Sequence, residues 1–330
     1  MLATTTYGLW APPLYSAHGG SIDSLIDVVH YFMILTFIPW CVFFVYCLYR
    51  FRQRPGHKAD YHPVKAKVSQ YAEYAIVIIE AFLLVGLSMP VWADYKNEPP
   101  DEGKRTEIRV VAQQFQWNVH YPGADGVFGR TDAALVDEAS NPIGLDKDSD
   151  PDAADDVVTQ EFHFPVGKDI YIRLTSKDVI HSFAIPTMRV KQDVIPGMEI
   201  PIWFKVDENA TTDKLLKQMT ERFPTAKANW YKLRHYVAAE DITSKTGEVM
   251  LAKGEGLGFT LDDGNKLLEK LSKAGIAELT LHPIHPMEVV CAQLCGNSHF
   301  KMKSKVLTHT PEDYLAWMVE EGAPEDEVEF

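Results

Sequence analysis

An uninterrupted apolar run near the start of the chain limits its fold more than any other feature. Residues Val28–Tyr49, VVHYFMILTFIPWCVFFVYCLY, form 22 positions without a formal charge. A helix of that length spans a hydrocarbon core of about 30 Å. The run is too long for the apolar core of a signal peptide, and no small-residue cleavage site follows it. We therefore expect a retained membrane helix, in which Pro39 is tolerated as in other membrane helices.

A second apolar run lies at Ala75–Ala93, AIVIIEAFLLVGLSMPVWA, and Glu80 is the one charged residue within it. Between the two runs, residues 50–70 hold six basic residues against the single acid Asp60. Loops rich in Lys and Arg stay in the cytoplasm. We therefore predict a transmembrane hairpin over 28-95, with spans at about 28-49 and 75-93, a cytoplasmic loop at 50-70 and an external N-terminal segment at 1-27.

Two carboxylates of the second span are candidates for a proton path. An ionised carboxylate is costly in hydrocarbon, so such residues usually face a protein partner or a water-filled path. Glu80, inside the span, is equally compatible with a hydrogen bond between helices. Glu73, at the cytoplasmic edge, is equally compatible with an interfacial residue.

The rest of the chain is acidic. In total, 46 Asp and Glu stand against 32 Lys and Arg, which leaves a net charge of -14 although the loop between the spans is basic. Negative charge repels nucleic-acid phosphates and attracts basic proteins. We expect no nucleic-acid partner and an acidic domain outside the membrane.

Short runs rich in β-branched and aromatic residues begin after Tyr95. Gly and Pro separate these runs, a rhythm that is typical of an antiparallel sandwich or barrel. The stretches HPMEVVCAQLCG and HFKMKSKVLTHTP supply the last strands, with two cysteines between them. The earlier strand-like runs lie at 106–121, 155–166, 169–185 and 199–206.

The stretch CAQLCGNSHFKM, residues 291–302, gathers two thiols, an imidazole and a thioether. A disulfide across the C-x3-C pair is geometrically compatible but leaves His299 and Met302 without a role. Zinc favours thiolate, imidazole and carboxylate, whereas thioether is a poor ligand for it. Thiolate, imidazole and thioether together are the soft set that copper favours. Two cysteines in one loop could bridge two metal ions, and His181 is the best candidate for a second imidazole.

The helical hairpin, DVIHSFAIPTMRVKQDVIPG and CAQLCGNSHFKM occur in an order that resembles subunit II of the haem–copper respiratory oxidases. This is the cytochrome c oxidase subunit with a binuclear CuA centre, and the resemblance covers about residues 20–206 and 283–320. It implies a two-helix transmembrane hairpin followed by an all-β cupredoxin-like Greek-key barrel at 96-206 and 283-320. It also implies two copper ions, held by bridging thiolates, terminal imidazoles, a thioether and a backbone carbonyl. The bridging thiolates would come from Cys291 and Cys295, and the terminal imidazoles from His181 and His299. Met302 would supply the thioether and Gln293 the backbone carbonyl.

The resemblance further implies the electron-entry subunit of a terminal respiratory oxidase. Electrons would come from a c-type cytochrome and pass to haem in subunit I, where oxygen is reduced to water with proton pumping. The location would be the bacterial inner membrane, with the soluble domain on the periplasmic face. Because the family has a Glu at the start of the second helix, Glu73 is favoured over Glu80 as the mouth of a proton path. A CuA-bearing nitric oxide reductase subunit and a non-enzymatic copper-binding cupredoxin remain alternatives.

Two positions depart from the family pattern. The family commonly has Glu where this chain has Gln293, and that side chain reaches a magnesium ion at the subunit I interface. A neutral amide is a weaker ligand for a hard cation, which makes magnesium there doubtful. The family's Gln-Trp-Tyr-Trp run also lacks its first Trp here, which is replaced by Phe115. Phe115 and Trp117 are the electron-entry candidates, unless they are core positions of a strand.

Two stretches are longer than the family core requires. Residues 207-282 are expected to form an inserted α+β module, with helices at 211–223 and about 261–274, a hairpin and a closing strand. The acidic stretch 121–156 lacks the spacing of an EF-hand loop, and cation binding near 146-156 stays open. Both inserts are expected to provide partner-docking surface on the outer face. The chain ends in an acidic tail at 321-330.

Overall fold

The computed structural model describes residues 11–56, 58, 61–62, 67–96, 98–244, 246–258 and 260–322. These residues form two units. The membrane unit contains residues 18–99, and the outer unit contains residues 12–17 together with the chain from residue 100 onward. Asp60 and Lys65 of the predicted loop and most of the acidic tail lie outside the described residues.

The membrane unit consists of two long apolar helical segments. The first is α1 (Gly19–Arg50), which has Pro39 in its interior. The second begins as α2 (Val68–Phe82), continues through a π-helical stretch at Leu83–Ser88 and ends as α3 (Met89–Lys96). With 32 and 29 residues, both segments are long and apolar enough to cross a membrane.

The outer unit is built mainly from short strands. Its helices are α4 (Thr212–Gln218), α5 (Trp230–Leu233), α6 (Leu261–Lys273) and α7 (Pro311–Gly322). Its strands are β1 (Arg105–Gln113), β2 (Gln116–Tyr121), β3 (Val157–Thr159), β4 (Phe162–Pro165), β5 (Asp169–Ser176), β6 (His181–Ile185), β7 (Val190–Val194), β8 (Ile200–Lys205), β9 (Glu221–Pro224), β10 (Tyr236–Ala238), β11 (Ile242–Thr243), β12 (Val249–Leu251), β13 (Glu278–Pro283), β14 (Met287–Cys291) and β15 (Lys303–His309).

Two five-stranded sheets enclose the main core. The first has the order β3-β2-β1-β5-β8 and the second the order β4-β15-β14-β6-β7. In β5, buried and half-buried residues alternate, because successive side chains of a strand point to opposite faces. Large side chains such as Trp117, Phe162 and Phe183 are fully buried in this core. The predicted cupredoxin-like β class is confirmed, although the pairs β1·β5 and β4·β15 are parallel and the sheets are therefore mixed.

The run at 106–121 divides into a hairpin. Strands β1 and β2 pair antiparallel, with Gln113 opposite Gln116, so Gln114 and Phe115 form the connecting turn. Val110 and Val119 face each other across the pair and are both buried. The turn thereby projects from one end of the first sheet.

The predicted helix at 211–223 is too long, because α4 ends at Gln218. The following residues form β9, which pairs antiparallel with β13, so a tertiary pairing overrides the local helical pattern. The helix predicted at 261–274 is confirmed as α6. Thr260 caps its N-terminus by accepting a hydrogen bond from the Asp263 backbone N–H, a typical capping arrangement.

The inserted module has a hydrophobic core separate from that of the sandwich. Strands β10, β13 and β9 form its sheet, and α6 contributes Leu268 and Leu271 to its core. Leu215 of α4 belongs instead to the sandwich core. The separate core therefore begins after α4.

The acidic stretch 121–156 packs on the outward face of the first sheet. Arg130 bonds the Asp146 carboxylate through its guanidinium and the Asp150 carboxylate through its backbone N–H. These two carboxylates are therefore used within the loop. A small apolar cluster underlies it and consists of Ile143, Leu145 and Ala153 against Val111 and Val158.

Candidate metal centre

One end of the second sheet brings the predicted ligands together. His181 is the first residue of β6, and Cys291 is the last residue of its antiparallel neighbour β14. The two side chains therefore meet although they are 110 positions apart. The loop from β14 to β15 carries Cys295, His299 and Met302. The Cys291 backbone N–H donates to the Met302 carbonyl at 3.0 Å, which closes this loop.

Each thiol has its own imidazole neighbour. The Cys291 Sγ lies 3.9 Å from the His181 Nδ1, and the Cys295 Sγ lies 3.5 Å from the His299 Nδ1. The two sulfurs are 3.9 Å apart, well beyond the roughly 2.05 Å of a disulfide bond. The Met302 Sδ lies 3.7 Å from the Cys295 Sγ. The arrangement is a pair of thiols with one imidazole on each side and a thioether at one end.

Gln293 contributes its backbone rather than its side chain. Its carbonyl oxygen lies 3.1 Å from the Cys291 Sγ, whereas the residue as a whole is exposed. All six residues predicted as ligands thus lie in one small region of the outer unit.

Burial makes the centre a poor place for isolated charge. His181 is 0 % and Met302 1 % exposed, and both cysteines are buried. Burial, together with the neighbouring Cys291, raises the pKa of the Cys295 thiol to about 11. The Cys295 thiol therefore keeps its proton at neutral pH until a cation replaces that proton, and metal binding would release it.

A carboxylate behind His181 sets the orientation of its ring. The His181 Nε2–H donates to the Asp178 Oδ1 at 2.8 Å, which leaves Nδ1 with its lone pair toward Cys291. Asp178 also accepts bonds from the backbone N–H groups of Gln114 at 2.7 Å and Val179 at 2.6 Å. Although burial acts to raise it, these hydrogen bonds hold the pKa of Asp178 below its usual value.

The donor set fits copper. The two sulfurs, 3.9 Å apart, would be close enough to share bound metal ions. The set of thiolate, imidazole and thioether is soft, as copper requires, and a thioether has little affinity for zinc. The arrangement is therefore a candidate copper site.

The two aromatic candidates occupy different positions. Trp117 is fully buried, and its ring lies 6.1 Å from the His181 ring and 5.7 Å from the Phe183 ring. Phe115 is only partly buried and packs against the ligand loop at Gly296. Trp117 therefore cannot touch a docked protein directly, whereas Phe115 can.

Glu73 and Glu80 are both exposed on α2 of the membrane unit.

Sequence reasoning missed Asp178 and Gln114, which contact the ligands without being ligands. The only available signal for Asp178 was an acid three positions before the candidate histidine, in DVIH. For Gln114 the signal was its place beside the aromatic run.

Comparison with known proteins finds relatives among the subunits of cytochrome c oxidases. A family model described as cytochrome c oxidase subunit II, periplasmic domain, matches residues 107–212, which include His181. The chain is 26% identical to the alternative cytochrome c oxidase subunit 2 of Bradyrhizobium diazoefficiens, over 94% of this chain and 83% of that protein. It is 27% identical to the cytochrome c oxidase subunit 2 of Thermostichus vulcanus, over 49% of this chain and 26% of that protein. The chain thus spans most of the first relative and about a quarter of the second.

Solved structures give a weaker likeness. The periplasmic domain of subunit II of the cytochrome oxidase of Bradyrhizobium japonicum is 18% identical with a TM-score of 0.32, over 68% of this chain and 96% of that chain. A chain of a haem–copper terminal oxidase dimer is 15% identical with a TM-score of 0.31, over 72% of this chain and 99% of that chain.

Proposed function

Because the chain belongs to the cytochrome c oxidase subunit II family, we propose that it is the electron-entry subunit of a terminal respiratory oxidase. Family membership confirms the predicted resemblance and the assignment to an oxidase enzyme complex. The two candidate membrane helices and the match to a periplasmic domain support a membrane-anchored protein with a periplasmic domain and with other oxidase subunits as partners. In the proposed reaction, a c-type cytochrome supplies electrons one at a time, and haem in subunit I receives them for oxygen reduction with proton pumping.

The thiol pair with an imidazole on each side is the observation that carries this proposal. Cys291 and Cys295 would be shared between two copper ions, with His181 and His299 as terminal ligands. Met302 and the Gln293 carbonyl would complete the set. When bound, the copper pair supplies one-electron redox chemistry.

The surroundings suit a relay rather than a catalyst. The ligands come from strand ends and one short loop that is closed by backbone bonds, so their positions are well determined. Electron transfer is fastest when little has to move, whereas a catalytic metal needs an open coordination position for substrate. Six donors from the chain favour the relay.

The surface beside the ligands is suited to a docked electron donor. Leu294, between the two cysteines, is 76% exposed, and Phe300, beside His299, is 74% exposed. Exposed apolar groups next to a buried redox centre allow a partner to approach closely, while the acidic domain steers a basic cytochrome toward it. Phe115 is the proposed entry contact, with Trp117 behind it against His181.

The proposal extends to the membrane unit. Both spans would contact lipid and subunit I in the bacterial inner membrane, and Glu73, more than Glu80, would lie at the mouth of a proton path. Magnesium stays doubtful, because Gln293 offers a neutral amide where a carboxylate is usual.

Electron paramagnetic resonance of the copper-loaded full-length chain in detergent tests the central claim. We expect two copper ions per chain and a seven-line mixed-valence spectrum, since one electron is shared by two nuclei. Cys291→Ser should abolish that spectrum, whereas Cys47→Ser, in the first membrane helix, should leave it intact.

A four-line mononuclear spectrum, or a single labile copper, would contradict the relay and favour a copper-binding cupredoxin. Purification from native membranes then identifies the catalytic subunit. A copurifying nitric oxide reductase would replace the oxidase in the proposal.

A further inference from the structure

The β1–β2 turn is connected to both halves of the ligand set. The Gln114 backbone N–H donates to one oxygen of Asp178 at 2.7 Å, and the other oxygen of Asp178 accepts from the His181 ring at 2.8 Å. The Gln114 side-chain amide donates to the backbone carbonyl of Cys295. One residue therefore contacts a cysteine ligand directly and a histidine ligand through a single carboxylate.

The ligand loop is shaped to accept this contact. Gly296, next to Cys295, has a φ of +140°, a conformation that other residues rarely adopt. A Cβ at this position would lie 2.8 Å from the Gln114 Nε2 and 3.0 Å from the Phe115 Cζ. A larger residue here would strain the backbone and would have to displace the Gln114 side chain, so the loop packs closely against the turn.

From these contacts we infer that Gln114 is a positioning residue for the metal centre, a role that rests on the proposed function. The two ligand segments come from distant parts of the chain, and the sheet aligns Cys291 with His181 but not Cys295. The amide of Gln114 holds the Cys295 peptide in one orientation and so directs its Sγ toward Cys291. Without this bond the peptide can rotate, and the spacing of the two sulfurs changes.

A positioning role differs from a structural role in what it affects. Gln114 is exposed, and its loss removes no apolar burial from the core. The folded domain should therefore tolerate substitution, while the copper pair should not. Residues that orient metal ligands typically change affinity by about 10–100-fold when they are replaced.

Gln114→Glu in the copper-loaded full-length chain tests the inference, because glutamate keeps the length of the side chain but replaces the donor with a carboxylate that repels the Cys295 carbonyl. We expect copper affinity, measured by competition with a chelator, to fall by about 10–100-fold. We also expect an altered hyperfine spacing in the paramagnetic resonance spectrum and an unchanged melting temperature of the metal-free chain. Gln116→Glu is the matched control, since Gln116 lies on the same hairpin and bonds Asn118 instead of the loop.

Gln114→Ala gives a second perturbation, because it removes the amide donor without adding a carboxylate. If Gln114→Glu does not fold, a shifted hyperfine spacing in Gln114→Ala supports the role, and a wild-type spectrum overturns it. A Gln114→Glu chain that matches the Gln116→Glu control within about twofold in affinity also overturns it. If the wild-type chain binds no copper pair, the proposed function fails first and this inference falls with it.

Discussion

Lowering the pH from about 7.5 to about 5 is expected to destabilise the outer domain, because folding opposes the protonation of two imidazoles that stack against Trp317 of α7. His163 Nδ1 and His309 Nε2 are 2.9 Å apart in nearly parallel rings, inclined by 4°. The indole of Trp317 stacks on His163 with a centroid distance of 3.8 Å. One ring must donate and the other must accept in the bond between them, so the pair is suited to at least one neutral imidazole.

Burial and, to a lesser extent, the neighbouring His309 lower the pKa of His163 to about 4, while Glu161 acts in the opposite sense. Burial also lowers the pKa of His309. A histidine with a pKa lowered by folding stabilises the fold above its ordinary pKa of about 6.5, and this stability is lost as the pH falls toward about 4. Each pH unit in that window costs about 1.4 kcal/mol, so His163 alone loses about 2 kcal/mol between pH 6.5 and pH 5.

A competing effect acts in the opposite direction. An imidazolium over the Trp317 face gains a cation–π attraction of about 0.5–2 kcal/mol. The full pKa shift of His163 corresponds to about 3 kcal/mol, and protonation of both rings would also break their mutual hydrogen bond. Desolvation should therefore outweigh the cation–π attraction, and the domain should lose somewhat less than the roughly 2 kcal/mol of stability that the pKa shift alone implies.

The measurement is the free energy of unfolding of the full-length chain in detergent at several pH values. We expect His163→Phe, which keeps a flat ring against Trp317, to lose less stability between about pH 6.5 and about pH 5 than the wild type, by about 1–2 kcal/mol. His235→Phe, at an exposed histidine, should keep the wild-type slope. Equal slopes in His163→Phe and the wild type would refute the reasoning.

Two further predictions concern packing and docking. Gly264→Ala should destabilise the inserted module by about 1–3 kcal/mol in spite of its better helix propensity, because the new Cβ would lie 1.8 Å from the Trp230 Cδ1. Hydrogen exchange of α6 measures this, and Gly20→Ala, a helical site with nothing within 4 Å, should show no such loss. The rate of electron uptake from a basic c-type cytochrome should fall by about tenfold or more from low to physiological salt in stopped-flow experiments, and a salt-independent rate would argue against electrostatic steering.

The sequence alone identified the features that depend on local chemistry. Apolar runs of sufficient length predict membrane helices whatever the rest of the chain does, since the bilayer sets the length. The donor types in CAQLCGNSHFKM indicated a soft metal before any geometry was known, because the thioether disfavours zinc. Helix α6 was also predictable, since its cap and its apolar face lie within one short segment.

Only the tertiary structure decided the features that depend on distant partners. The helix predicted at 211–223 stops at Gln218 because β13, far along the chain, offers a strand partner. Trp117 and Phe115 are two positions apart, yet one faces the core and the other the ligand loop, since the turn between β1 and β2 falls at Phe115. The contacts of Gln114 and Asp178 arise from the meeting of three separate segments. Residue types predicted the ligands, whereas the packing of the strand ends determined what holds them in place.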